Sequence, residues 1–273
     1  MLTQPGPTLW VKCTRCGEVL YQRELSKNLQ VCQKCQFHFR LRAPERIDMF
    51  ADAGTFVPLD VDMRSSDPLQ FVSRGKAYPD RLREAEAQAG LPEAVIYGTA
   101  RLYEQPVVLA AMDAAFLGAS MGSVVGEKVA RAFERAAADG CALVIFAASG
   151  GARMHEGLFS LMQMAKTAAA AARLSDAGLP FISVCTDPTY AGVTASFVSL
   201  ADVIIAEPGA SIGFAGPRVI EQTTKHKVGA DERDAEFVLR HGMVDLVVPR
   251  GELKETLGRL VALLTRQPGP VAA

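Results

Sequence analysis

Four of the six cysteines stand in two identical knuckles, Cys13-x2-Cys16 and Cys32-x2-Cys35, with fifteen residues between the pairs. A two-residue spacer lets both thiolates of a knuckle reach one ion, and an intervening hairpin returns the second knuckle to it. The spacing matches a tetrahedral four-thiolate zinc site. Such a site is coordinatively closed, so its single metal ion holds the fold and does no chemistry. Two disulfides are disfavoured in a reducing compartment, and a redox pair needs only one such knuckle. The other cysteines, Cys141 and Cys185, lie inside or beside the apolar runs Ala142–Phe146 and Phe181–Val184 and read as small buried hydrophobes. Residues 1–42 are therefore expected to form a zinc ribbon.

The ribbon segment carries Lys12, Arg15, Arg23, Lys27, Lys34, Arg40 and Arg42 against only Glu18 and Glu24, a net of +5 in a chain whose total is −1. A basic ribbon suits RNA, DNA or another polyanion; a dock for an acidic partner or a plain solvated surface fits the count equally. The chain as a whole offers no strong field for nucleic acid or membrane. With 49% hydrophobic and 22% charged residues it lies far from the composition of disorder. At 273 residues it can bury a core without disulfide staples. No apolar run reaches the roughly 18–20 residues of a membrane span. Met1-Leu2-Thr3-Gln4-Pro5-Gly6-Pro7 lacks the charged and apolar regions of a signal peptide. A soluble, cytoplasmic protein with no membrane insertion is expected.

Beyond residue 42 the pattern changes. Residues 43–90 are charged and interrupted by Pro44, Pro58, Pro68 and Pro79, with a short helix expected over 80–88, and suggest a peripheral lobe of a domain spanning 43–273. Apolar β-rich runs then recur at 107–110, 143–146, 181–184, 203–205 and 244–248. Helical stretches lie between and after them, near 121–138, 155–177, 193–201, 232–241 and 251–266. Short continuous apolar runs alternating with helices indicate parallel strands covered on both faces, an α/β domain.

In such sheets ligands gather beyond the carboxyl ends of the strands. Three glycine-bearing turns fall there: Ser149-Gly150-Gly151-Ala152-Arg153-Met154, Thr186–Val193 and Gly209–Arg218. Small residues allow a ligand to approach the backbone, and free N–H groups can face developing negative charge. Each glycine pair taken alone is weak, because turns need glycine anyway. No phosphate loop, GxGxxG, GxSxG or HExxH is present, and His38, His155, His226 and His241 show no metal-ligand spacing. Glu156 reads as a helix-dipole partner and Asp187 as a turn residue. With no convincing base or nucleophile, the inventory suits a reaction in which the protein mainly stabilises charge.

The ribbon residues 16–21 and 28–32, the blocks Gly118–Gly126, Ser149–Met154, Ser160–Thr167 and Thr186–Thr189, and Ile212–Thr223 resemble the β subunit of bacterial acetyl-CoA carboxylase carboxyltransferase from about Trp10 to about Leu264. The resemblance implies a crotonase-like (ClpP/crotonase) fold and one half of a carboxyltransferase. This half would bind acetyl-CoA, and a homologous α subunit, in an α2β2 heterotetramer, would bind carboxybiotin on a separate biotin carboxyl carrier protein. Malonyl-CoA for fatty acid synthesis would result, and nucleotide and ATP binding would belong to the complex with biotin carboxylase. The resemblance places backbone N–H groups of Gly150, Gly151, Ala191 and Gly192 at the thioester enolate, and Arg153, Gly213 and Gly216 in the acyl-CoA pocket. Two positions depart from the family: Ala191 stands where a glycine is usual, and His155 where glutamine is usual. A self-sufficient hydratase, isomerase or thioester hydrolase of the same fold would need Glu156 or His155 as its acid or base. Polyanion binding by the ribbon is expected to fall steeply with added salt as counterions are released, and to weaken on charge reversal of Lys12, Arg15 and Lys34 while turnover is unaltered; filter binding across salt concentrations, beside an activity assay, checks both.

Overall fold

A computed structural model describes residues 9–225, 229 and 233–265. His226, the first residues of the expected ribbon and the last of the expected body lie outside them. The expected parallel sheet is present. Strands β1 (Trp10–Lys12) and β2 (Val19–Tyr21) make the ribbon hairpin, followed by α1 (Gln22–Lys27). The body then runs α2 (Ala43–Phe50), β3 (Val57–Pro58), β4 (Val72–Ser73), β5 (Lys76–Ala77), α3 (Tyr78–Ala89), β6 (Val95–Leu102), β7 (Gln105–Met112), α4 (Ser123–Asp139), β8 (Ala142–Ser149) and α5 (Leu158–Asp176). It continues with β9 (Phe181–Tyr190), β10 (Val203–Ala206), β11 (Ile212–Gly213), α6 (Pro217–Thr224), α7 (Ala235–Arg240), β12 (Leu246–Val247) and α8 (Arg250–Thr265).

The main sheet has the order β12-β10-β9-β8-β7-β6-β3, with β11 paired to the far end of β9. From β7 to β12 every pairing is parallel, while β6 and β3 extend the sheet antiparallel. Alternation along β8 explains why its run is apolar throughout. Leu143, Ile145 and Ala147 enter a core shared with α3, α4 and α5, whereas Ala142, Val144 and Phe146 enter one shared with α2 and α8. Helix α4 turns Val125, Val129, Ala132, Phe133 and Ala136 inward, at helical spacing. Gly140, at φ +63°, ends it in the left-handed conformation that glycine adopts without strain. Gly126 lets α4 and α5 touch, since a Cβ there would lie 2.6 Å from Cβ of Gln163.

Several expectations change. The prolines that suggested an irregular lobe over 43–90 include two that open helices: Pro44 and Pro79 occupy the first turns of α2 and α3, where a missing N–H costs nothing. Helix α2 is part of the core rather than the periphery, with Ala43, Ile47 and Phe50 buried and the Phe50 ring 4.6 Å from that of Phe146. No α-helix covers 193–201, which forms turns and a single 3-10 turn at Val198–Leu200. Strand β9 runs on to Tyr190 through an irregular register with β8, and the run at 244–248 contributes only two strand residues.

The ribbon is seated on the body by one buried ion network. Glu207, just past β10, receives Arg46 of α2 at 2.9 and 3.2 Å and Arg250, the first residue of α8, at 2.8 Å through two nitrogens. Arg250 also donates to the ribbon carbonyls of Leu29 and Phe39 at 2.8 and 3.0 Å, and its own N–H reaches Nε2 of buried His38 at 3.1 Å. Burial alone would raise the Glu207 carboxyl, but the two guanidinium groups outweigh it and hold it well below the usual carboxylate range. A depressed folded pKa gives stability that is present above the unfolded value near about 4.3 and lost as pH falls toward the folded one. Glu207→Gln leaves two buried arginines without their counterion and should cost about 3–5 kcal/mol. Chemical denaturation from pH 7 down to pH 3 should show that loss at neutral pH and a shallower acid slope in the variant.

Candidate functional site

Each cysteine knuckle is closed by the same turn. The N–H of Gly17 donates to the carbonyl of Cys13 and that of Gln36 to Cys32, both at 2.9 Å, with φ of +75° and +59° at the closing residues. The hairpin brings the four sulfurs within 4.8 Å of one another, with Cys13 to Cys35 at 3.6 Å and Cys16 to Cys32 at 3.8 Å. Tetrahedral zinc with Zn–S bonds of about 2.3 Å requires sulfurs about 3.8 Å apart, whereas a disulfide requires about 2.05 Å. The donor set fits zinc. Cys141 and Cys185 are buried, and burial pushes their thiols up to about 11 and about 12, so neither is poised as a nucleophile.

At the carboxyl ends of β8 and β9 the expected turns meet. A Cβ on Gly151 would lie 3.0 Å from Cβ of Ala191, and one on Gly192 would lie 3.4 Å from Sδ of Met164 and 3.6 Å from Cε of Met121. A third segment, Gly118–Gly122, lies against the first. Gly150 N–H donates to the carbonyl of Gly118 at 2.9 Å, Met121 N–H to Gly151 at 2.8 Å, and Arg153 N–H to Met121 at 3.0 Å. Buried Ser149 ties the corner, donating its hydroxyl to the carbonyl of Ala119 at 2.8 Å and accepting from Gly151 N–H at 3.0 Å. Ala191 is held at φ +54° by its N–H to the carbonyl of Gly213 at 3.1 Å.

These bonds correct the expected donor set. Gly150, Gly151 and Ala191 spend their N–H groups inside the protein, while those of Gly192 and Ala152 have no acceptor among the described residues. Arg153 is corrected more sharply. Its side chain is 0% exposed and paired with equally buried Glu93, so it has no donor left for a ligand at the surface. Gly213 lies beside Ala191 as expected, and Gly216 opens α6 with empty space beside its Cα.

Glu156 serves a helix, though not the one expected. Its carboxylate accepts from Ser123 N–H at the start of α4 and from the hydroxyl of Tyr78, both at 2.6 Å. A Cβ on Gly122 would collide with it at 2.5 Å. The His155 ring stacks on Tyr78 with centroids 4.9 Å apart, and burial holds it below the usual histidine range, hence neutral at pH 7. Asp187 is an ion-pair partner as well as a turn residue, bonding Arg40 of the ribbon at 3.0 Å and Ser211 N–H at 3.1 Å. The ribbon thus covers the strand ends and encloses a cavity of 180 Å³ bordered by His38, Arg46, Thr186, Glu207 and Arg250. Part of its basic charge is already matched, by Asp187 for Arg40, Asp113 for Arg42 and Glu18 for Lys34. Lys12, Arg15 and Arg23 form no ion pair among the described residues. Sequence reasoning passed over Glu93, Tyr78 and buried Lys128, because nothing in the residues beside them in sequence signals burial.

Residues 40–259 match the family described as carboxyl transferase domain, and residues 10–35 match the acetyl-CoA carboxylase zinc finger domain. The chain is 54% identical over 255 residues to the acetyl-coenzyme A carboxylase carboxyl transferase subunit beta of Desulforamulus reducens, covering 93% of this chain and 87% of that one. The subunit of the same name from Thermus thermophilus is also 54% identical, over 93% of this chain and 89% of its own. Among solved structures, transcarboxylase 12S with methylmalonyl-coenzyme A and methylmalonic acid bound superposes with a TM-score of 0.68 at 27% identity. The match covers 82% of this chain, which spans only 40% of that longer one. The Pseudomonas malonate decarboxylase MdcD–MdcE heterodimer gives 0.64 at 25% identity, over 82% of this chain and 86% of the matched one.

A crotonase-like sheet with glycine-bearing loops at its parallel strand ends, under a four-cysteine ribbon, defines a carboxyltransferase of the acetyl-CoA carboxylase type. The chain belongs to the carboxyl transferase family and, within it, to the acetyl-CoA carboxylase carboxyl transferase beta subunits. Elemental analysis should find one zinc per chain, and Cys16→Ala should lose the metal and unfold the ribbon; unchanged zinc content in that variant would overturn the assignment.

Proposed function

We propose that the chain transfers the carboxyl group of carboxybiotin to the methyl carbon of acetyl-CoA, giving malonyl-CoA, as one half of a two-subunit site. The observation that carries this reading is the meeting of two glycine-bearing turns at adjacent strand ends, with the N–H groups of Gly192 and Ala152 unclaimed among the described residues. Loss of a methyl proton places enolate charge on the thioester oxygen, and fixed backbone dipoles stabilise such charge without reorganising. Carboxybiotin, on a separate carrier protein, supplies the carboxyl group and, once that is released, a base for the methyl proton. No side-chain base is then needed, which agrees with the Glu156 carboxylate being taken up by Ser123 N–H and the Tyr78 hydroxyl. The same engagement argues against Glu156 as the acid or base of a self-sufficient hydratase or hydrolase.

The partner in this reading is an α-type subunit of similar fold, in an α2β2 assembly. Its support is an apolar face beside the site: Met154 is 78% exposed, and Leu158, Leu161 and Met162, at helical spacing along α5, are exposed as well. Contiguous apolar surface of this kind marks an interface. Biotin carboxylase would consume the ATP, since this sequence holds no phosphate loop. No helix among the described residues is long and apolar enough to cross a membrane, and we assign the enzyme to the cytoplasm.

The isolated chain should form no malonyl-CoA, and the chain mixed with an α-type partner and a carboxybiotin donor should form it. In that mixture Gly192→Pro, which deletes the N–H, should lower turnover by about 100- to 1,000-fold. His155→Ala should stay within about tenfold, short of the usual contribution of a general base. A radiometric malonyl-CoA assay reads all three, and abolished transfer in a folded, zinc-loaded His155→Ala complex would install a side-chain base.

A further inference from the structure

Arg153 has every polar atom engaged. Its N–H donates to the carbonyl of Met121 at 3.0 Å, and its own carbonyl accepts from Ser160 Oγ at 2.5 Å. Its Nε reaches Ser120 Oγ at 3.1 Å, and one terminal nitrogen reaches the carbonyl of Ser120 at 2.7 Å. The two terminal nitrogens take Glu93 in a fork at 2.7 and 2.5 Å, and one of them also meets Ser65 Oγ at 3.2 Å and Tyr78 OH at 3.3 Å. Glu93 is itself enclosed and completes its shell with Ala94 N–H at 2.8 Å and Ser65 Oγ at 2.6 Å.

The consequence is mechanical. Arg153 belongs to the turn that carries Gly150, Gly151 and Ala152, and its guanidinium grips the backbone of Gly118–Gly122, against which that turn is hydrogen-bonded. Glu93 grips the same guanidinium from the opposite side, on the segment entering β6. Bulk stability does not require such a device, because apolar residues of similar volume serve a core as well as a buried ion pair does. The fork supplies direction instead: a planar guanidinium can hold a carboxylate and a carbonyl together at fixed angles, which an ammonium cannot.

We infer that the buried Glu93–Arg153 pair is the positioning device of the reaction, setting where the backbone N–H of Ala152, in the 150–152 turn, stands relative to that of Gly192. The inference rests on the carboxyl-transfer reading above. Neither side chain touches substrate; both act through the backbone they hold. Misplacing a reacting group by about 1 Å can cost about 100-fold in rate, and the loss should appear in kcat, because acyl-CoA contacts outside the turn are untouched.

The test uses the chain assembled with its α-type partner and a carboxybiotin donor, with zinc content and assembly measured for each variant. Glu93→Gln should lower kcat per assembled site by about 10- to 100-fold while KM for acetyl-CoA stays within about threefold. Ser65→Ala, a milder change that removes one hydroxyl shared by both partners, should lower kcat severalfold with KM unchanged, and it decides the matter where Glu93→Gln fails to fold. A kcat per assembled, zinc-loaded site within about twofold of wild type in a folded Glu93→Gln variant, or in Ser65→Ala if that variant does not fold, overturns the inference. So does a loss confined to the assembled fraction or to KM. A wild-type complex that forms no malonyl-CoA sinks the carboxyl-transfer reading, whereas wild-type turnover beside an unaffected Glu93→Gln sinks only the positioning role.

Discussion

Burial of the parallel strands on both faces is the constraint from which the rest of this molecule follows. With helices packed on each side, β8 and its neighbours can present ligand-facing groups only where the strands end, and every feature argued to act on substrate stands there. The glycine-bearing turns after β8 and β9 occupy that edge, the Gly118–Gly122 segment braces them, and the ribbon packs beside them against Thr186, Asp187 and the segment after β10. The chemistry asked of the chain, holding negative charge on an oxygen, is suited to main-chain N–H groups. Strand ends supply these without placing a charged side chain in the core.

Much of this architecture could be read in the sequence. Zinc ligation was legible because tetrahedral geometry restricts spacing so strongly that four cysteines suffice. The parallel sheet was legible because strands covered on two sides lose their polar alternation, as 143–146 and 181–184 do. What escaped depended on context rather than pattern. Pro44 and Pro79 look like breaks until they are placed in the first turn of a helix, where they are favoured. The stretch 193–201 spaces Val193, Phe197 and Ala201 as a helix would, but Val, Thr and Ser are weak helix formers, and the hydroxyls of Thr194, Ser196 and Ser199 bond nearby carbonyls instead.

At the site, the loops were visible and the assignment of their donors was not. A glycine announces a close approach of backbone, yet which N–H is left free depends on acceptors far away in sequence, such as the carbonyls of Gly118 and Gly213. Arg153 shows the same limit. Beside two glycines it resembles a ligand contact, and only its bond to Glu93, sixty residues earlier, makes it an internal brace. Ala191 marks a different compromise: a non-glycine residue held at φ +54° is intrinsically disfavoured, by about 1–2 kcal/mol in a left-handed conformation, and its bond to Gly213 helps to keep it there.

The latch that seats the ribbon joins the two ends of the chain. The carbonyls of Leu29 and Gln30 wait for Arg250, 221 and 220 residues later, and Glu207 is made only 43 residues before that arginine. During synthesis at about 5–20 residues per second the ribbon therefore spends roughly 10–45 s without its anchor. Over that interval it has only its own hairpin, its knuckle turns and the zinc its four cysteines would hold. Chain order thus makes Arg250, which opens α8, the last residue of the network to be synthesised, and the seating of the ribbon waits on it.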